Sequence, residues 1–349
     1  MGKYIAFDSH KHYTLAERED VVTGRTRQTR VDHRRGAIAA YLKRCGPGTA
    51  VAVEATGNWY WIIEEIEQAG FEPRLVHPRK AKLMMGMINK TDKLDVHGLN
   101  RLQRAGTLPT VWIPPGDLRD LREVTRTRMV IVCARTRSKN RLTSTLTKYA
   151  LNLVGVSDAY GPGARPRLEA AIDALPPETR WTSRLMLERV DFLNDQVDRI
   201  DARLETLIRV TPEMQRLMTL PGVGKILAAV IALEVGCIDR FPSAEHLASY
   251  AGTTPRVHAS GGKVRYGPLR PDVNRYLKWA FVEAANSVAL NRRTHPDRHV
   301  SRRYATIRQR KGHATAIGAV ARHLAEATYH VWSRAEPYRD PAQGRTRKA

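Results

Sequence analysis

From Asp117 to Leu151 the chain runs without a proline or glycine, so a single long helix is the simplest fold for it. A second helical pattern follows. Met186, Val190, Leu193, Val197, Ile200, Leu204 and Leu207 recur at spacings of 4-3-4-3-4-3, a heptad seam that must meet another helix. That partner lies either in the same chain, as a helical hairpin, or in a second copy. Gly155 to Pro177, rich in Gly, Pro and Ala, reads as a loop between the two helices.

These helices divide the 349 residues into four expected parts. Residues 1–115 read as α/β. Residues 116–211 are the long basic helix and coiled-coil segment, and 212–335 a mainly helical domain. Residues 336–349 read as a polar, basic, disordered tail. Within the first part, Tyr4–Phe7 and Ala50–Ala55 read as buried strands. Tyr13–Glu17 and Pro73–His77 are further strands, and 59–69 and 91–105 are helices.

Charge narrows the partner. Lys and Arg number 58 against 35 Asp and Glu, a formal charge of +23. The excess is clustered, with nine basic against three acidic residues in 117–150 and fourteen against four in 291–349. Such clusters favour a polyanion, because each phosphate neutralised releases condensed counterions. Cys45, Cys133 and Cys237 form no C-x-x-C pair, which argues against a zinc site or a disulfide framework and fits a reducing cytoplasm. No apolar run approaches the ~20 residues of a membrane span, and no signal peptide is evident, so a soluble cytoplasmic protein is expected.

Against this basic background four acids stand out. Asp8 ends one apolar strand on the face of Ala6, and Glu54 ends another on the face of Ala52. Strands of this kind are buried, so an acid there needs a partner. Asp92 and Asp95, three apart, share one face of the 91–105 helix with Leu99 and Leu102, while Lys93, Asn100, Arg101, Gln103 and Arg104 are expected on the opposite face. Ordinary first-turn placement would explain the aspartate pair taken alone. Four convergent carboxylates instead call for divalent cations, and hard oxygen ligands select Mg²⁺ or Mn²⁺. Two such ions can clamp both oxygens of a phosphodiester displacement.

Asp8-Ser9-His10-Lys11, Val53-Glu54-Ala55-Thr56-Gly57-Asn58-Trp59 and Lys90-Thr91-Asp92-Lys93-Leu94-Asp95 resemble the three motifs of the DEDD transposases, insertion-sequence recombinases of the bridge-RNA-guided family. Val96-His97 departs from that pattern, where a small residue is usual. The resemblance implies a ribonuclease H-like (RuvC-like) N-terminal domain, with Asp8, Glu54, Asp92 and Asp95 as ligands of two ions. It also implies DNA as substrate, a noncoding guide RNA, and a homo-oligomer with an active site shared between protomers.

The C-terminal part extends the likeness. Leu220-Pro221-Gly222-Val223-Gly224-Lys225 resembles the turn of a helix-hairpin-helix element, in which Gly222, Gly224 and Lys225 would approach a phosphate. A plain turn before an apolar helix is the alternative. Ala259-Ser260-Gly261-Gly262-Lys263 and Asn274-Arg275-Tyr276-Leu277-Lys278 resemble the second conserved region of the same transposases, with Thr253 and Lys278 departing from it. The family's nucleophilic serine falls on Ser260, beside Lys263 and Arg265, although an exposed turn would look identical. Lys11, Arg126, Arg135 and Lys139 complete the expected nucleic-acid contacts. His10 and His12 lie near Asp8, where one of them could contact the site, although a surface position is the commoner outcome for such a histidine. A hydrolytic, junction-resolving nuclease and a non-catalytic nucleic-acid-binding protein are the competing readings.

Overall fold

The computed structural model describes residues 3–46, 50–86, 91–269 and 273–341. The chain forms two compact units, Met1–Pro114 and Pro115–Ala349.

The first unit is a mixed α/β layer structure. Its strands are β1 (Lys3–Ser9), β2 (Tyr13–Asp20), β3 (Thr26–Asp32), β4 (Ala50–Glu54) and β5 (Glu72–Val76). Its helices are α1 (Ala37–Lys43), α2 (Trp59–Gln68), α3 (Pro78–Met85) and α4 (Asp92–Arg104). The sheet order is β3-β2-β1-β4-β5. β1, β2 and β3 form an antiparallel meander, and β1, β4 and β5 run parallel. The two-residue period sorts each strand between the faces. Ile5, Phe7, Val51, Val53 and Leu75 pack with α1 and α2. Ala6, Ala52 and Val76 pack with Val96 and Leu99 of α4 on the other face. The alanines on that face let the helix lie close to the sheet.

Three elements of this unit have no counterpart in the sequence reading: β3, α1 and α3. Helix α1 is capped from a distance, since the buried Glu65 of α2 accepts the backbone N–H groups of Gly36, Ile38 and Ala39.

The second unit contains α5 (Gly116–Lys148), α6 (Arg165–Asp173), α7 (Pro177–Leu207), α8 (Pro212–Leu217), α9 (Lys225–Val235) and α10 (Ala244–Tyr250). The strands β6 (Pro255–Ser260) and β7 (Lys263–Leu269) come next, then α11 (Arg275–Leu290) and α12 (His299–Ser333), which kinks at Gly312. The heptad seam is used within the chain. Arg128 pairs with Asp201 and Arg135 with Asn194, so partners descend along α7 as they ascend along α5, and the two helices are antiparallel.

The expected loop over 155–177 is corrected by α6, preceded by a 3-10 turn at Pro162–Ala164. Pro166 sits in the first turn, where its missing N–H costs nothing, and Leu168 and Ile172 bury against the hairpin. The tail is corrected in part. Tyr338 packs on the core, its N–H donates to Thr219, and Asp340 accepts the N–H of His299. Among the described residues no helix is long and apolar enough to cross a membrane.

Candidate active site

The parallel register of β1 and β4 pairs Ile5 with Val51, Ala6 with Ala52 and Phe7 with Val53. One step further lie Asp8 and Glu54, side by side on neighbouring strands and on the face that α4 covers. Asp8 is 7% exposed. Burial pushes its carboxyl above the usual range; His10 pulls it down, and Asp92 and Asp95 push it up again. Both aspartates of α4 therefore lie within electrostatic reach of Asp8. Helix α4 starts where it does because the Thr91 hydroxyl accepts the N–H of Leu94, which sets the aspartates in its first turn. Lys90, the first residue of that motif, lies outside the described residues.

Of the two histidines near Asp8, His10 is the one that contacts the site. Its Nε2 lies 3.2 Å from an Asp8 oxygen and 3.3 Å from an Asp92 oxygen. That nitrogen is buried between the two carboxylates. Asp8, His10 and Asp92 each offer one ligand atom, and these atoms lie within 4.8 Å of one another. Tyr13 donates to the same Asp92 oxygen at 3.0 Å, and Arg30 stacks on its ring. His12 and Lys11 stay exposed in the turn between β1 and β2.

Asn58 fastens this turn. Its amide donates to the His10 carbonyl at 2.7 Å, and its oxygen accepts from Ser9 and Thr56. The turn after β4 thus holds the turn after β1. On the far side of Asp8, the expected outer face of α4 is corrected. Asn100 and Gln103 are buried, because Asn100 donates to Glu17 and Gln103 to the Ala50 carbonyl. His97, the departure from the motif, meets Glu17 at 3.0 Å. Glu17 is 1% exposed, so these partners are what its burial requires.

In the second unit Ser260 ends β6 at a hairpin whose turn residues Gly261 and Gly262 both have positive φ. Glycine suits such a turn, and the hairpin is a strand pair within the mainly helical region expected here. Register divides the ribbon into two faces. Val257, Ala259, Val264 and Tyr266 lie on one. His258, Ser260, Lys263 and Arg265 lie on the other, with Ser260 opposite Lys263.

The expected phosphate contacts fare unevenly. Arg126, placed by the sequence reading on a nucleic-acid backbone, instead grips Glu234 of α9 with both oxygens, at 2.7 and 3.0 Å. Glu234 is fully buried, and Asn274 and Arg122 complete its surroundings. Arg135 is bonded to Asn194, and Lys139 lies over the Tyr160 ring. Gly222 has φ +80°, and a Cβ there would meet the Ala284 carbonyl oxygen at 2.3 Å, so close packing on α11 explains it. Gly224, which caps α9, faces open space, and Lys225 lies 3.8 Å from Glu205.

Two family models match the chain in order. One, a transposase model of the DEDD IS110 type, covers residues 5–151. The other, described as transposase IS116/IS110/IS902 family, covers residues 214–301. The chain belongs to the IS110 family of transposases. This transposase is 24% identical to a probable family 20 transposase of Pseudomonas aeruginosa over 84% of the chain and 86% of the relative. It is 23% identical to the transposase for insertion sequence element IS1111A of Coxiella burnetii, over 83% of the chain and 79% of the relative. A pilin gene-inverting protein of Moraxella bovis is 27% identical over 60% of the chain and 57% of that protein. The transposase acts on DNA, and its carboxylates and its serine ribbon fall within the two matched regions.

Proposed function

We propose that this transposase cuts and rejoins DNA with a ribonuclease H-like (RuvC-like) carboxylate centre and a nucleophilic serine. The strand order β3-β2-β1-β4-β5, with its antiparallel meander and parallel arm, supports the domain reading. One observation supports the chemistry: Asp8, on the strand beside that of Glu54, offers a ligand atom within 4.8 Å of those of His10 and Asp92, the latter in the first turn of α4 with Asp95. The donor set fits a divalent cation. Its oxygens are hard ligands, the Asp8, Asp92 and Asp95 charges repel one another there, and Asp8, His10 and Asp92 offer ligand atoms within 4.8 Å of one another. Asp8, Glu54, Asp92 and Asp95 would hold Mg²⁺ or Mn²⁺, most naturally as two ions, which supply charge neutralisation at the scissile phosphate.

Ser260 is the proposed nucleophile. Its oxygen bonds to phosphorus as a sugar hydroxyl leaves, the serine proton is passed on to the leaving oxygen, and the ester keeps the energy for rejoining. Lys263 and Arg265 share its face of the ribbon and would offset charge on the phosphoryl oxygens. The Moraxella relative's name speaks of gene inversion, an event that requires both ends to be rejoined, and this favours a recombinase over a hydrolase. A noncoding guide RNA and a homo-oligomer with a shared site complete the proposal.

The test is Mg²⁺-dependent strand exchange with the RNA that copurifies. Asp8→Asn is expected to abolish it. Ser260→Ala is expected to abolish strand transfer and any denaturation-resistant protein–DNA adduct. Cleavage that survives Ser260→Ala without joining would mark a hydrolytic nuclease, and full activity in Asp8→Asn would overturn the reading.

A further inference from the structure

The antiparallel hairpin of α5 and α7 holds a groove of about 720 Å³ that none of the roles above uses. Arg137, Arg141 and Lys148 of α5 line it, and Arg189 of α7 faces them. Offsets of four and eleven residues put the three α5 cations on one helical stripe about 16 Å long. No carboxylate lines the groove. The rest of the hairpin is built differently. Arg128 is paired with Asp201, Arg165 with Asp191 and Arg184 with Asp173. Several arginines of the hairpin are thus paired with acids, whereas the four cations that line the groove have no carboxylate among their lining neighbours.

Such a cluster is self-repelling by itself and becomes favourable when a polyanion enters. We infer that this groove binds the phosphodiester backbone of duplex DNA, a contact remote in sequence from both the carboxylates and Ser260. A strand carries one phosphate per ~3.4 Å of axis, so a 16 Å stripe faces about five of them. Contacts to phosphates fix position and carry no sequence information, so this contact is expected to be indifferent to sequence. The inference rests on the reading that the chain handles DNA, and it adds where the backbone is gripped.

The full-length protein is titrated with fluorescently labelled duplex DNA across a potassium chloride series. The variant Arg137→Gln/Arg141→Gln is expected to bind more weakly at low salt, with a salt slope shallower by about two, at ~0.9 per phosphate contact. Arg137→Lys/Arg141→Lys keeps the charges and is expected to restore the slope. Arg184→Gln, which removes an acid-paired arginine of the same hairpin, is expected to leave it unchanged. An unaltered slope in the double Gln variant, with melting temperature preserved, overturns the inference. So does a loss confined to a duplex RNA probe. The catalytic reading fails separately, if Asp8→Asn remains active.

Discussion

Asn58 and His10, 48 residues apart, are joined by a 2.7 Å hydrogen bond from the Asn58 amide to the His10 carbonyl. The bond matters because His10 stands between Asp8 and Asp92, so the turn that carries it shapes the space among the carboxylates. Partners of this kind, which orient ligands without being ligands, are worth roughly 10–100-fold in metal affinity or activity. Asn58→Ala is expected to lower strand exchange by about that factor and to shift the Mg²⁺ titration to higher concentration. Asn58→Asp, which keeps the acceptor for Ser9 and loses the donor, is expected to behave no better. Wild-type Mg²⁺ dependence in both variants would remove Asn58 from the site.

The sequence shows this centre only in part. An acid ending an apolar strand is conspicuous, so Asp8 and Glu54 are readable from the alternation of their neighbours. Asp92 and Asp95 are readable from helical spacing. His10 is not, because its contact depends on how a three-residue turn folds back, which no periodicity encodes. Asn100 and Gln103 mislead for a different reason. A polar side chain on a helix is read as outward-facing, but these two are buried by acceptors 83 and 53 residues away. The heptad seam reveals that a partner exists and cannot say which helix supplies it. The hairpin of β6 and β7 escapes because its alternating runs are short and its side chains are exposed on both faces.

Arg126 separates a structural arginine from a phosphate-binding one. Glu234 is buried with Arg126 bonded to both its oxygens. Removing one partner of a buried pair leaves an uncompensated charge and costs roughly 3–5 kcal/mol. Because Arg122 and Asn274 still reach Glu234, Arg126→Ala is expected to lower stability by less than that, roughly 1–3 kcal/mol, while leaving the salt slope of DNA binding unchanged. Glu234→Gln is expected to be destabilising as well. Denaturant unfolding and salt titrations of the same preparations decide it. A stable Arg126→Ala protein with a shallower slope would return the residue to the nucleic-acid interface.

The two glycines before α9 make opposite predictions. Gly222 has positive φ and no room for a Cβ against the Ala284 carbonyl. Gly222→Ala is thus expected to cost about 2–4 kcal/mol, as strain and backbone displacement together. Gly224 has φ −94° and open space around it, so Gly224→Ala is expected to leave the melting temperature within a few degrees of wild type. Because the fold tolerates that change, weakened DNA binding in Gly224→Ala would report a phosphate at the helix start. Equal stability of the two variants, measured by thermal unfolding, would contradict the packing described for Gly222.

His323 couples the end of the chain to pH. Its ring lies 4.9 Å from that of His299, tilted against it, and approaches the Tyr338 hydroxyl at 3.3 Å, and Tyr338 in turn donates to Asp340. Burial first, then His299 and Arg303, push its pKa down to about 4. In the unfolded chain the imidazole titrates near the usual ~6.5. The folded state therefore favours the neutral ring. Its contribution is fully present above about pH 6.5 and is lost as pH falls through the window down to about 4. At ~1.36 kcal/mol per pH unit, the whole window corresponds to about 3 kcal/mol as an upper bound. The stability difference between wild type and His323→Gln is expected to be largest at pH 7 and to shrink steadily towards pH 4. Urea unfolding of both proteins at a series of pH values measures it. A difference that stays constant across that range would show that His323 titrates as an ordinary solvated histidine.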